Sequence, residues 1–176
     1  MEVGDGDRKQ LMSGTIDRVD ICENGTDVYV RIIDYKTGKK DFNIVKTYYG
    51  IDIQLMVYME AAMKLVAKMR PGKNVIPAGV FYYNISDPIV SATTESAEEI
   101  EDKIKGELRL KGMVNSDKDI AEKMDNTEGT SLNIPVSRKA DGGFDSRRSK
   151  VMNTEQFNML GRFVDVRAVD TADRIA

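Results

Sequence analysis

The sequence predicts an α/β domain built on a small mixed β-sheet flanked by helices, and three observations carry that prediction. Two runs in which apolar and polar residues alternate, "LMSGTIDRVDIC" and "VYVRIIDYK", are joined by the turn-forming "ENGTD", the pattern of a β-hairpin. The segment "IDIQLMVYMEAAMKLVAKM" repeats apolar residues at helical spacing up to the breaker "RPGK". A further run, "VIPAGVFYYNI", reads as another strand closed by "SDP".

Taken in order, Met1 to Gln10 is polar, contains "GDGD" and is expected to be a poorly ordered lead-in to a single domain over 1–176. After the hairpin, "KTGKKDFNIVKTYYG" is expected to be a basic, glycine-containing loop, followed by a helix from about Ile51 to Met69 and a strand from Val75 to Ile85. In "TTESAEEIEDKIKGELRLKG", Ser96 and Glu99 have capping-box spacing and acids crowd the first turns, which predicts a second helix with a solvated charged face. "SDKDIAEKM" suggests a short helix capped by Ser116, and "LNIPVSRKADGGFDSRRSKVM" suggests two strands around a Gly-Gly turn. A last helix is expected from Thr154 toward Ile175.

Composition narrows the chemistry. With 41% hydrophobic and 31% charged residues the chain is that of a globular protein, and a net charge of −3 confines any nucleic-acid contact to local basic patches. The single cysteine, Cys22, excludes an internal disulfide and any multi-cysteine metal site within these residues. There is no histidine, so carboxylates, lysines and tyrosines must do the work of any active site. No signal-like stretch and no run of about 18 apolar residues occurs, which predicts a cytoplasmic protein with no membrane span.

The hairpin brings chemistry out of geometry. If its loop is Asn24–Gly25, Glu23 pairs with Thr26 and Asp17 lies diagonal to Asp34; if the loop runs from Asn24 to Asp27, Glu23 pairs with Val28 and Asp17 lies opposite Asp34. In either register alternation puts Asp17, Asp34 and Lys36 on one face with Val19, Ile21, Val28, Val30 and Ile32. Acid-x-Lys at a strand end is common, but a second acid on the same apolar face is not. Two carboxylates about 4.5–8 Å apart would resist ionisation unless a cation lay between them. Oxygen ligands favour a hard ion such as magnesium, manganese or calcium. Lys36 would stand beside that ion, and Gln54 and Tyr58, four residues apart, share one face of the following helix.

Together, "GTIDRVD", "VRIIDYKTG" and "YYGIDIQLMVYMEAA" form a D...DxK...QxxxY arrangement. It resembles the RecB-type branch of the PD-(D/E)XK nuclease superfamily, most closely the AddB/RexB type. "LRLKGMVNSDKDIAEKMD" and "IPVSRKADGGFDSRRSKVMNTEQFNML" extend the likeness over nearly the whole chain. The resemblance implies a restriction-endonuclease-like core. It implies Asp17 and Asp34 as metal-binding carboxylates, the Tyr35 backbone carbonyl as a further ligand, Lys36 as the catalytic lysine, and Gln54 and Tyr58 as an accessory pair. It implies hydrolysis of DNA phosphodiesters with magnesium or manganese, beside an AddA-like helicase partner, in double-strand break repair and recombination. Lys39, Lys40 and Lys46 are the basic residues expected along the DNA backbone.

The chain departs from that pattern in one respect. Members of this type usually carry an iron-sulfur cluster held by four cysteines, one upstream of the core and three near the C-terminus, whereas here Cys22 stands alone and is read as a core thiol. The expectation is a fragment of a larger protein. The alternatives are a stand-alone Cas4-like RecB-type exonuclease, or a non-catalytic module that binds DNA or braces a partner.

Overall fold

The computed structural model describes residues 2–3, 10–11, 13–85, 88, 90 and 96–175, the first four and 171–175 by backbone only. The lead-in is not wholly irregular: β1 (Glu2–Val3) pairs antiparallel with β2 (Gln10–Leu11), residues 4–9 lying outside the described residues. The main body is a five-stranded mixed sheet. Its strands are β3 (Arg18–Asn24), β4 (Asp27–Lys36), β5 (Asn74–Asn84), β6 (Lys111–Asn115) and β7 (Val151–Met152), in spatial order β3-β4-β5-β6-β7. β3/β4 and β5/β6 are antiparallel, whereas β4/β5 and β6/β7 are parallel.

The hairpin turns on Gly25 and Thr26, with Asn24 paired to Asp27 and Glu23 to Val28. Of the two turn residues only Gly25 has positive φ, 61°, which is the demand of a turn with glycine at its first central position. The loop is therefore neither of the two expected, but the register is the one that aims Asp17 at Asp34. Parallel pairing of β4 with β5 requires a crossover, and α1 (Ile44–Tyr48) and α2 (Gln54–Met69) supply it. α1 lies where a plain loop is expected. Asn43 explains it, since its Oδ1 accepts from both Val45 N and Lys46 N at 3.0 Å and caps the short turn.

α2 starts at Gln54, three residues later than expected, and presses Leu55, Met56, Met59, Ala62 and Val66 onto one sheet face. There they meet Val28, Val30 and Ile32 of β4, Val80 and Tyr82 of β5, and Phe157, Leu160 and Val164 of α5 (Thr154–Ile175). Each fully buried apolar side chain of this size contributes roughly 1.5–3 kcal/mol, so this layer holds the molecule together. Val19 and Ile21 share the face but remain 37% and 41% exposed, because α2 spans β4 and β5 and leaves the edge strand β3 bare. On the opposite face Ile33, Phe81 and Val114 pack with Ala121 of α4 (Lys118–Met124) and with Ile134 and Val136. Cys22 is only partly buried beside Tyr29, Ala78 and Ile120, at the margin of this layer rather than in a core.

The second half corrects more of the sequence reading. The helix α3 (Ala97–Leu108) has the expected Ser96–Glu99 capping box, but it ends at Leu108, and "KGMVN" is the strand β6. α4 is capped by Asp117, not Ser116; Asp117 Oδ1 accepts from Asp119 N at 2.9 Å. Of the two strands expected around Gly142–Gly143, what forms is two isolated bridges, Thr130 with Ser137 and Arg138 with Phe144, and the two-residue β7 at the end of that segment. Asp125 organises that region instead: it accepts from Thr127 N at 2.7 Å, Ser131 Oγ at 2.7 Å and Asn133 Nδ2 at 2.8 Å. Ser86 and Asp87 of "SDP" lie outside the described residues. Among the described residues no helix is long and apolar enough to cross a membrane.

Two outcomes follow for stability. A Cβ on Gly112 would overlap the Val80 carbonyl oxygen, so β5 and β6 pair closely only because that position is bare. Gly112→Ala is expected to cost about 1–3 kcal/mol, read as a lowered urea midpoint with unchanged slope. Burial alone would raise the Asp125 carboxyl, but the bonds from Thr127, Ser131 and Asn133 outweigh it and hold the group down at about 2 from an ordinary 3.8. A depressed carboxyl stabilises above its unfolded value and loses that contribution as pH falls through its folded value. Urea titrations between about pH 5 and pH 2 should show a loss of roughly 1–2 kcal/mol, solvent screening allowed for, that Asp125→Ala abolishes.

Candidate active site

The site sits where β4 ends against the start of α2. Val28, Val30 and Ile32 point β4's even-numbered side chains into the α2 layer, so alternation delivers Asp34 and then Lys36 to the same side. Asp34 is only 2% exposed. Burying a carboxylate is costly unless it is paired, and the partners are at hand: Lys36 Nζ lies 2.6 Å from Asp34 Oδ2, and Gln54 Nε2 donates to Asp34 Oδ1 at 3.1 Å.

Gln54 is the keystone. Its amide donates a second bond to Tyr58 Oη at 2.9 Å while its Oε1 accepts from Lys36 Nζ at 2.9 Å. Both N–H groups and the carbonyl are therefore used, and turning the amide over would set N–H groups against an ammonium. The spacing of four residues along α2 is what brings Gln54 and Tyr58 together.

Asp17 lies at a bend immediately before β3 and is exposed, although the hairpin register, carried one residue further, would set it opposite Asp34. Instead of a face-to-face carboxylate pair, Asp17 Oδ2 accepts from the Tyr35 backbone N–H at 2.9 Å. In a strand the N–H and C=O of one residue point to the same side. The Tyr35 carbonyl thus faces the Asp17 side, past the end of β3.

Among the described residues no cluster of three histidine, cysteine or acidic side chains occurs. The groups that would serve a metal here are fewer: the Asp34 carboxylate, Asp17 across the strand pair, and the Tyr35 carbonyl. That suits magnesium, which typically takes one or two carboxylates and fills its shell with water and phosphate. The fit is supported by Asp34 Oδ2, which is buried and meets Lys36 Nζ at 2.6 Å, and whose second lone pair has no protein donor among the described residues. A hard cation would satisfy that oxygen.

Lys40 joins the site from the loop after β4. Its Nζ pairs with Asp52 at 3.1 Å and lies 4.7 Å from the centre of the Tyr82 ring, over which Lys36 Nζ also lies at 5.7 Å. Tyr82 is fully buried and donates to Asp52 Oδ1 at 2.9 Å; burial first, and then that bond, push its phenol upward, so it stays protonated. Asp52 and Tyr82 are neighbours of this network that the sequence reading does not single out. The available signal is that Tyr82 alternates with the buried Val80 and faces α2. Lys39 and Lys46 are exposed, Lys46 on α1 rather than in a loop, and neither hydrogen-bonds to this network.

Comparison with known proteins gives the family. The profile of the PD-(D/E)XK nuclease superfamily matches residues 1–143. The B-type subunit of an ATP-dependent helicase/deoxyribonuclease from Thermoanaerobacter sp. (strain X514) is 38% identical over 164 residues, 92% of this chain and 14% of the relative. The protein of that name from Clostridium botulinum (strain Hall) is 37% identical over 177 residues, 99% of this chain and 15% of the relative. The one from Caldanaerobacter subterraneus subsp. tengcongensis is 40% identical over 92% of this chain and 14% of its own length. The chain thus spans about one seventh of the length of these relatives. With a profile match over most of its residues and the Asp34, Lys36, Gln54 and Tyr58 network in place, the chain belongs to the PD-(D/E)XK nuclease superfamily.

Proposed function

We propose that this chain is the nuclease domain of a helicase-nuclease subunit and hydrolyses DNA phosphodiesters with magnesium or manganese. The observation that carries the reading is the buried Asp34 carboxylate at the strand end, with Oδ2 2.6 Å from the Lys36 ammonium and Oδ1 bonded to Gln54. The relatives' names join a helicase to a deoxyribonuclease, which supports DNA as substrate and an AddA-like helicase as partner. Exonucleolytic processing of double-strand breaks for repair and recombination in the cytoplasm belongs to the same reading. The iron-sulfur cluster usual in this type has no cysteine set among these residues, whose one cysteine is Cys22.

Asp17, Asp34 and the Tyr35 carbonyl are the groups that would hold a divalent ion. Such an ion supplies charge neutralisation at the phosphate and a more acidic water. Lys36 presents its ammonium to the developing negative charge on the phosphate oxygens, a role for which its tether to Gln54 Oε1 orients it in advance. Gln54 holds Asp34 and Lys36 in one geometry, and the Tyr58 hydroxyl locks Gln54. Lys40 and, more loosely, Lys39 and Lys46 provide sequence-independent attraction for the DNA backbone, which weakens with salt.

Lys36→Ala is expected to slow magnesium-dependent degradation of linear DNA by about a hundred- to a thousandfold, measured well below the melting temperature, which should itself fall because Asp34 loses its ammonium. An unchanged rate would sink the assignment. Millimolar magnesium or manganese should raise the melting temperature of the wild-type chain and leave that of Asp34→Ala where it was. No shift in the wild type would argue for a scaffold in place of a metal-dependent enzyme.

A further inference from the structure

Beside the Asp34–Lys36 pair a pocket of about 460 Å3 opens between the segment 13–16 and the first turns of α2. We infer that this pocket is a subsite for one nucleoside of the DNA strand, next to the scissile phosphate, with Lys40 as its phosphate contact; the inference rests on the nuclease reading above.

The lining divides by chemistry. Ile16, Ile53, Val57 and Ala61 give an apolar wall, and Lys40 and Gln54 give a polar end. The volume is in the range of small-ligand sites, and an apolar wall with a few convergent polar groups is their usual make-up. Gln54 and Tyr58 belong both to the pocket and to the network that holds Lys36, so the pocket adjoins the place where a phosphate would reach Lys36. Segment 13–16 passes close over the Tyr58 ring: a Cβ on Gly14 would lie 3.9 Å from Tyr58 Cε1. At the mouth Ile51 is 75% exposed, a large apolar side chain available to a base.

Lys40 suits the phosphate. Asp52 engages its ammonium, Tyr82 lies beneath it, and the Tyr82 hydroxyl holds Asp52 in turn. An ammonium has three donors, and one ion pair leaves donors for a phosphate oxygen. Among the described residues Asp52 is the only acid lining the pocket, and it is already engaged by Lys40 and Tyr82. Asp52 and Tyr82 are thus positioning residues for Lys40.

The test is a titration of the methyl-labelled chain with thymidine monophosphate and, separately, with inorganic phosphate, followed by NMR. Thymidine monophosphate should move the Ile53, Val57 and Ala61 methyl signals, inorganic phosphate should not, and Lys40→Ala should weaken the nucleotide about tenfold. Ala61→Trp should block the nucleotide; if that variant melts early, Ala61→Leu should weaken it in the same direction. Shifts that map elsewhere, shifts reproduced by inorganic phosphate, or affinity unchanged in both Lys40→Ala and the Ala61 variants would overturn the subsite. Cleavage assays separate this from the parent reading. If Lys36→Ala abolishes cleavage while Lys40→Ala and Ala61→Trp leave KM for DNA unchanged, the subsite falls and the nuclease stands. Nucleotide bound at Ala61 by a wild-type chain that never cleaves DNA would support the pocket and remove the nuclease.

Discussion

A carboxylate buried at the end of a central strand is the constraint on which the rest of this structure depends. Asp34 sits at 2% exposure because the residues before it, Val30 and Ile32, lock β4 under α2, and because β5 pairs alongside it with Tyr82 opposite Asp34. An isolated charge there would be untenable. The ammonium of Lys36 and the amide of Gln54 make it tolerable, and each is tied down by the same requirement. Such arrangements are weak contributors to stability, since desolvation offsets most of the attraction. Their value is in fixing geometry at a reacting centre.

α2 serves both ends. Leu55, Met56, Met59 and Ala62 build the core, while Gln54 and Tyr58, on an adjacent stripe of the same two turns, build the site. Precision at the site is therefore inherited from core packing. Tyr82 extends the principle from the sheet side, since its ring is core and its hydroxyl reaches Asp52.

Much of this is legible in the sequence, and the rest is not for identifiable reasons. Alternation over Val28–Lys36 and helical spacing over Gln54–Met69 are long, regular signals, and they put Asp34 with Lys36 on one strand face and Gln54 with Tyr58 on one helix face; that the two pairs meet is what the family resemblance implies. Alternation overstates the burial of Val19 and Ile21, because periodicity reports which face a side chain takes and not whether a helix covers that strand. β6 is hidden by its shortness and by the charged helical run before it. The stretch around Asp125 is held by side-chain bonds to Thr127, Ser131 and Asn133, which leave no periodic trace. The Lys40–Asp52–Tyr82 contact joins residues from a loop, a helix approach and a distant strand, a three-dimensional fact with no linear pattern.

The hairpin and crossover have a kinetic consequence. Asp17, Asp34, Lys36, Gln54 and Tyr58 all come from one hairpin and the helix that follows it, and the hydrogen bonds that join them reach no farther along the chain than that helix. Closing short loops is entropically inexpensive, and chains rich in such contacts order quickly. The contacts among these side chains thus need only the hairpin and α2 to be in place. Strand β5 and helix α5 come later in the chain and complete the layer that covers Asp34.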